Sequence, residues 1–294
     1  MTKIPKILLT AAGQLNITNL LEERGKENLL RNLGECSIGK FDKYLDLSEF
    51  YIEGYNVVTV KLNSRAAKNT HVVFLHGGGY VSEANMMHRK LIEKMVKLYG
   101  LKVSFVDYPL APENSAEHIV SLALKAYSEI TDRNADDEFV LFGDSAGGGL
   151  ALLLLQQLRD RQVEPFPKRT VLFSPWVDVS MSNPDITTIE DPLLHMPGMV
   201  EAGRLFAGDL DVKDPMVSPL YHDMENLGAV LAFIGTEESL YPDCLLMRDK
   251  MEAANGTWIE LQIVEGMVHD WILAPLPETR EALDHIAEFY LNWM

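Results

Sequence analysis

Ser145 stands in the run FVLFGDSAGGGLALLLL, Phe139 to Leu155, where a carboxylate and a hydroxyl interrupt two apolar stretches and three glycines follow. Gly143 to Gly147, GDSAG, is the pattern Gly-x-Ser-x-Gly set between a predicted strand and a predicted helix. In that setting the serine occupies a sharp, strained turn that lifts its oxygen clear of a sheet, and its neighbours must be tiny because strand and helix pass close together. Gly143, Ala146 and Gly147 meet that demand, so the chemistry on offer is attack by an activated hydroxyl. The competing reading is an ordinary serine N-cap at the start of a helix. FLHGGGY, Phe74 to Tyr80, adds a second strand end, followed by a histidine and three glycines. Glycine lets backbone N–H groups approach a ligand unobstructed, and two aligned donors are what an oxyanion needs as a carbonyl becomes tetrahedral. The alternative there is a plain flexible turn. His76 reads as a hydrogen-bonding group that holds this loop, not as an acid or base.

Segments that could position these groups alternate along the chain. The strand candidates are Tyr55 to Leu62, His71 to His76, Lys102 to Tyr108, Phe139 to Asp144, Thr170 to Pro175, Ala229 to Gly235 and Trp258 to Glu265. Several are apolar on both faces, as in a parallel sheet covered by helices on each side. Helical period runs over Met86 to Tyr99, Ser115 to Thr131, Ala146 to Arg161, Tyr241 to Ala254 and Pro277 to Trp293. The pattern predicts an α/β fold with a central, mostly parallel sheet flanked by helices. Two regions escape the alternation, Met1 to about Asp46 and Met181 to Gly228, and both are read as short helices capping a site, with an irregular loop as the alternative for the second.

The 294 residues, 47% hydrophobic and 23% charged, fit one large domain spanning residues 1–294. A net charge of −17 disfavours nucleic acid or an anionic membrane as partner and points to a small molecule. Cys36 and Cys244 share no disulfide or metal-ligand spacing, so no metal is expected. The apolar run after Lys6 is too short for a signal-peptide core, and no run reaches the roughly eighteen residues that span a bilayer. A cytoplasmic location is the expectation, with a homodimer left open.

HGGGY, DYPLAPE (Asp107 to Glu113), GDSAGG, SPWVDVS (Ser174 to Ser180), DPMVSPLY (Asp214 to Tyr221), GTEESLYPD (Gly235 to Asp243) and EGMVHDW (Glu265 to Trp271) follow one another in the order found in the hormone-sensitive-lipase family of α/β-hydrolase esterases. The chain resembles that family from about Tyr55 to its C-terminus. The resemblance implies a helical cap and hydrolysis of short-chain acyl esters without cofactor or metal. It places the acid at Glu238 and the base at His269, and chemistry agrees, because each follows a predicted strand and would emerge at the sheet edge that carries Ser145. Glu237, beside Glu238, leaves the acid open between the two. The implied mechanism has Ser145 attack an ester carbonyl while His269 takes its proton, with backbone N–H groups of Gly78, Gly79 and Ala146 holding the oxyanion and Gly77 contributing less. The rate is then expected to rise through one ionisation at roughly 6 to 7. The same residues permit amide or peptide hydrolysis, or acyl transfer to another alcohol. A non-catalytic binder is the remaining reading; plant gibberellin receptors share the fold but lack the histidine present here as His269.

Overall fold

A computed structural model of the chain describes residues 39–63 and 69–292. Eight strands form one sheet in the order β1-β2-β4-β3-β5-β6-β7-β8. They are β1 (Leu45–Ile52), β2 (Tyr55–Leu62), β3 (Thr70–Leu75), β4 (Lys102–Val106), β5 (Glu138–Asp144), β6 (Arg169–Phe173), β7 (Gly228–Gly235) and β8 (Thr257–Val264). β1, β2 and β4 pair antiparallel, and every pairing from β4 through β3, β5, β6 and β7 to β8 is parallel. The intervening helices are α1 (Met86–Tyr99), α2 (Ala116–Arg133), α3 (Ala146–Asp160), α4 (Met196–Ala207), α5 (Tyr241–Ala253) and α6 (Pro277–Asn292).

Strand side chains alternate between two faces, so each central strand feeds two cores. Val73, Leu75 and Leu141 point to the face packed by Ile119 and Ile130 of α2, Leu150 and Leu154 of α3 and Met247 of α5. Val72, Phe74, Val140 and Phe142 point to the other, against Leu91 and Met95 of α1 and Leu283 and Ile286 of α6. That double burial is why these strands read as continuous apolar runs. α3 is buried along its whole length from Ala146 to Leu158, as its unbroken LALLLL run requires. Truncating one such leucine to alanine would cost roughly 2–5 kcal/mol, so the helix that follows the serine is firmly held.

Seven predicted strands and five predicted helices coincide with observed elements to within about two residues at each end. β1 differs. It was not expected, and Leu45 and Asp46, assigned to an N-terminal cap, are its first residues. Only β2 pairs with it, and most of its side chains are exposed or half-exposed, so its sequence LDLSEFYI carries the charges of a sheet edge. Residues 1–38 of the expected cap, and Cys36 with them, lie outside the described residues. Cys244 is a buried free thiol.

Between β6 and β7 the chain forms a 3-10 turn at Pro184–Thr188, then α4, then a second 3-10 turn at Pro219–Tyr221. Short helices were expected there. Phe206 of α4 stacks on Tyr80 with ring centroids 3.6 Å apart, the Asp191 carboxylate accepts the Ser239 N–H at 2.7 Å, and Leu193 packs on Val268. One segment thus touches three separate loops at the C-terminal edge of the sheet, after β3, after β7 and after β8.

Candidate active site

Ser145 follows β5 directly, at φ 52° and ψ −122°. A non-glycine residue held there costs on the order of 1–3 kcal/mol and persists only when its surroundings over-determine it. They do: its N–H donates to the Phe173 carbonyl at 2.9 Å, and its carbonyl accepts from Trp176 N at 2.9 Å and Gly149 N at 3.1 Å. A Cβ at Gly143 would lie 2.1 Å from the Gly147 carbonyl oxygen, so strand and helix approach too closely for any side chain. The Ser145 side chain makes no capping bond to α3, which removes the N-cap reading. Its Oγ lies 2.7 Å from His269 Nε2.

His269 sits in the loop after β8, and its Nδ1 lies 2.8 Å from Glu238 Oε2. A carboxylate only accepts, so this contact fixes the proton on Nδ1 and leaves Nε2 facing the serine. Glu238 is fully buried, and its other oxygen accepts from Gly235 N at 2.6 Å and Ser174 Oγ at 2.9 Å. Glu237 is half-exposed, with its backbone N–H on the Met267 carbonyl. The carboxylate against the imidazole is therefore that of Glu238.

The glycine loop leaves β3 through His76, whose ring stacks on Tyr108 at 4.2 Å and whose Nδ1–H donates to the Gly77 carbonyl at 2.6 Å. His76 thus holds the loop in shape. Gly77 N–H donates to Asp144 Oδ2 at 3.0 Å and is consumed by that bond. A Cβ on Gly77 would fall 3.0 Å from Ser145 Cβ, so the loop passes directly over the serine. Gly78 and Gly79 have φ of 123° and 62°, values that free the chain to turn there. Among the described residues, the N–H groups of Gly78, Gly79 and Ala146 have no protein partner. Ala146 is the first residue of α3, so its orphan N–H and the positive end of the helix face the same point.

Sequence reading gave no role to four further residues here. Asp144, completely buried, ties the glycine loop to α1 by accepting from both Gly77 N and His88 Nε2, the latter at 3.1 Å. His88 accepts the Asn85 N–H on Nδ1, so it carries its proton on Nε2 and donates it to Asp144. Ser174 bridges to Glu238. Asp270 brings Oδ2 to 3.2 Å from His269 Nε2. The signals were present as the residue before the serine and the residue after the histidine, but neither carries a pattern of its own. Burial alone would pull the His269 imidazole down, yet the charge and hydrogen bond of Asp270, then those of Glu238, carry it well above the ordinary histidine value. Burial also pushes the Asp270 carboxyl up to about 6, against the opposing charge of His269. The expected ionisation at roughly 6 to 7 is displaced upward for that reason.

No described helix is long and apolar enough to cross a membrane, and no cluster of three or more His, Cys, Asp or Glu side chains among the described residues is arranged to hold a metal.

Residues 72–273 match the model of the alpha/beta hydrolase fold family. An acetyl-hydrolase of Streptomyces hygroscopicus is 30% identical over 223 residues, 74% of each chain. An esterase of Acinetobacter venetianus is 28% identical over 236 residues, 78% of this chain and 77% of the relative. Among solved structures, an esterase from the bacterial hormone-sensitive lipase family superimposes with TM-score 0.77 at 30% identity over 86% of both chains. EstE5 does so with TM-score 0.78 at 25% identity, over 93% of this chain and 97% of the other. With its sheet order, its positive-φ serine between β5 and α3 and these relatives, the chain belongs to the alpha/beta hydrolase fold family, within the hormone-sensitive-lipase group, and is a carboxylic ester hydrolase.

Proposed function

We propose that the protein hydrolyses short-chain acyl esters through an acyl-serine on Ser145. The observation that carries this reading is the unbroken relay Ser145 Oγ to His269 Nε2 at 2.7 Å and His269 Nδ1 to Glu238 Oε2 at 2.8 Å. Ser145 Oγ bonds to the ester carbonyl carbon as its proton passes to Nε2, and Glu238 stabilises the imidazolium that results. The carbonyl oxygen becomes an anion held by the N–H groups of Gly78, Gly79 and Ala146, which no protein acceptor occupies among the described residues. Collapse breaks the bond to the alcohol oxygen, which leaves with the proton from Nε2. Water then repeats the sequence on the acyl-serine, releasing the acid.

The short-chain preference rests on residues 181–228 acting as a cap. This segment touches the loops bearing Tyr80, Ser239 and Val268, and the reading takes it as a lid over an acyl pocket of limited depth. Each methylene that finds apolar surface gains about 0.8 kcal/mol, and each one beyond the pocket gains nothing. With p-nitrophenyl esters, kcat/KM should rise from acetate to chains of about four to six carbons and drop at least tenfold, roughly, by palmitate. Palmitate turned over as fast as butyrate would remove the shallow pocket. Hydrolysis of the matched butyryl anilide at the ester's rate would make the enzyme an amidase.

A further inference from the structure

The dipeptide His269-Asp270 puts a second carboxylate directly after the imidazole. Asp270 adopts φ 50° and ψ 34°, a left-handed conformation that Asp and Asn tolerate better than most residues. That turn folds the side chain back on its own neighbour, so Oδ2 lies 3.2 Å from the same Nε2 that faces Ser145 Oγ at 2.7 Å. The backbone is anchored on both sides. Asp270 N–H points at Ser174 Oγ at 3.4 Å, the hydroxyl that also supports Glu238, and its carbonyl accepts the Leu273 N–H at 3.0 Å.

A neutral imidazole with its proton on Nδ1 presents a lone pair at Nε2, and a carboxylate oxygen 3.2 Å away repels that lone pair. One proton on Nε2 turns the repulsion into attraction between an imidazolium and a carboxylate 3.2 Å apart. The imidazole is then flanked by Glu238 on Nδ1 and Asp270 on Nε2. Asp144 adds its charge from the last position of β5, while His88 of α1, with its proton on Nε2, faces Asp144. Among the described residues no Lys or Arg makes an ion pair with any of these carboxylates.

We propose that Asp270 is a positioning residue that holds the proton on His269 Nε2 while it passes from Ser145 to the departing alcohol. The inference rests on the reading of Ser145 and His269 as nucleophile and base. The proton leaves Ser145 Oγ as the Oγ–carbon bond forms, waits on Nε2 between Oγ and Asp270 Oδ2, and goes to the alcohol oxygen as its bond to carbon breaks. The device has two consequences of opposite sign. It stabilises the imidazolium in the tetrahedral intermediate, and it delays release of the resting proton that must leave before His269 can act as base. The acid limb of the pH–rate profile therefore lies above the ordinary histidine value of about 6.5. The raised His269 and Asp270 values agree with that direction.

The test uses the full chain, with kcat/KM for a short-chain ester followed by pH-stat titration from about pH 5 to 10. Asp270→Asn and Asp270→Gly both accept the left-handed backbone, and circular dichroism checks that each is folded. Both should move the acid limb down by about one unit or more and lower the plateau about tenfold, since the imidazolium loses a partner. A residue that merely supports the loop would lower the plateau without moving the limb, so an unmoved limb in both folded variants overturns the proposal. A wild-type limb at or below about 6.5 overturns it with no variant needed. Ser145→Ala is assayed alongside. If it stays active, the underlying assignment fails; if it is inactive while the Asp270 limb stays put, the role of Asp270 fails alone.

Discussion

Ser145→Ala is expected to fold like the wild type and to lose on the order of a thousand-fold or more in kcat on any ester the enzyme accepts. The loss is expected to be large because the hydroxyl lies 2.7 Å from His269 Nε2 and is the group proposed to attack the ester. Without it, water must attack from a position the turn was not built to hold. Folding survives because the backbone bonds that pin residue 145, to Phe173, Gly149 and Trp176, do not involve the side chain. The measurement is kcat on a p-nitrophenyl ester with thermal unfolding in parallel. Retention of even a tenth of wild-type activity would remove Ser145 as nucleophile.

Glu238→Gln should come close in effect, while Glu237→Gln should cost less than about threefold. Glu238 Oε1 accepts from Gly235 N–H at 2.6 Å and from the Ser174 hydroxyl, so a glutamine must place its carbonyl oxygen there to avoid setting two donors face to face. Its NH2 then faces His269 Nδ1, which can accept only by moving its proton to Nε2. An imidazole protonated on Nε2 cannot take the proton of Ser145, and kcat should fall by roughly a thousand- to ten-thousand-fold. Glu237 is half-exposed and holds the loop through its backbone N–H to Met267, which glutamine keeps. A larger loss at Glu237 than at Glu238 would shift the acid by one position.

That one-residue choice shows where the sequence stops being informative. Strands such as HVVFL and FVLFG were legible because both faces are buried and the apolar run is unbroken, and α1, α2 and α6 kept an amphipathic 3.6-residue period. GDSAG was legible because its glycines answer a steric demand that composition alone would not produce. Which of two adjacent glutamates meets the imidazole depends on the turn after β7, where Glu237 N–H is spent on Met267 and the chain delivers Glu238 inward; no spacing rule encodes that. Asp270 was invisible for a related reason, since its role depends on a left-handed backbone that only the folded loop specifies. β1 was hidden by the charges that suit a strand paired on one side.

The most direct measurement of the central claim is the site of covalent capture. An organophosphonate with a p-nitrophenol leaving group should modify the wild-type protein once per chain, with activity lost in proportion, and peptide mass mapping should place the adduct on Ser145. The Ser145→Ala chain should gain no mass, and Glu238→Gln should react far more slowly because its imidazole cannot accept the serine proton. Capture at any other residue in step with inactivation, or full inactivation without an adduct on Ser145, would contradict the account.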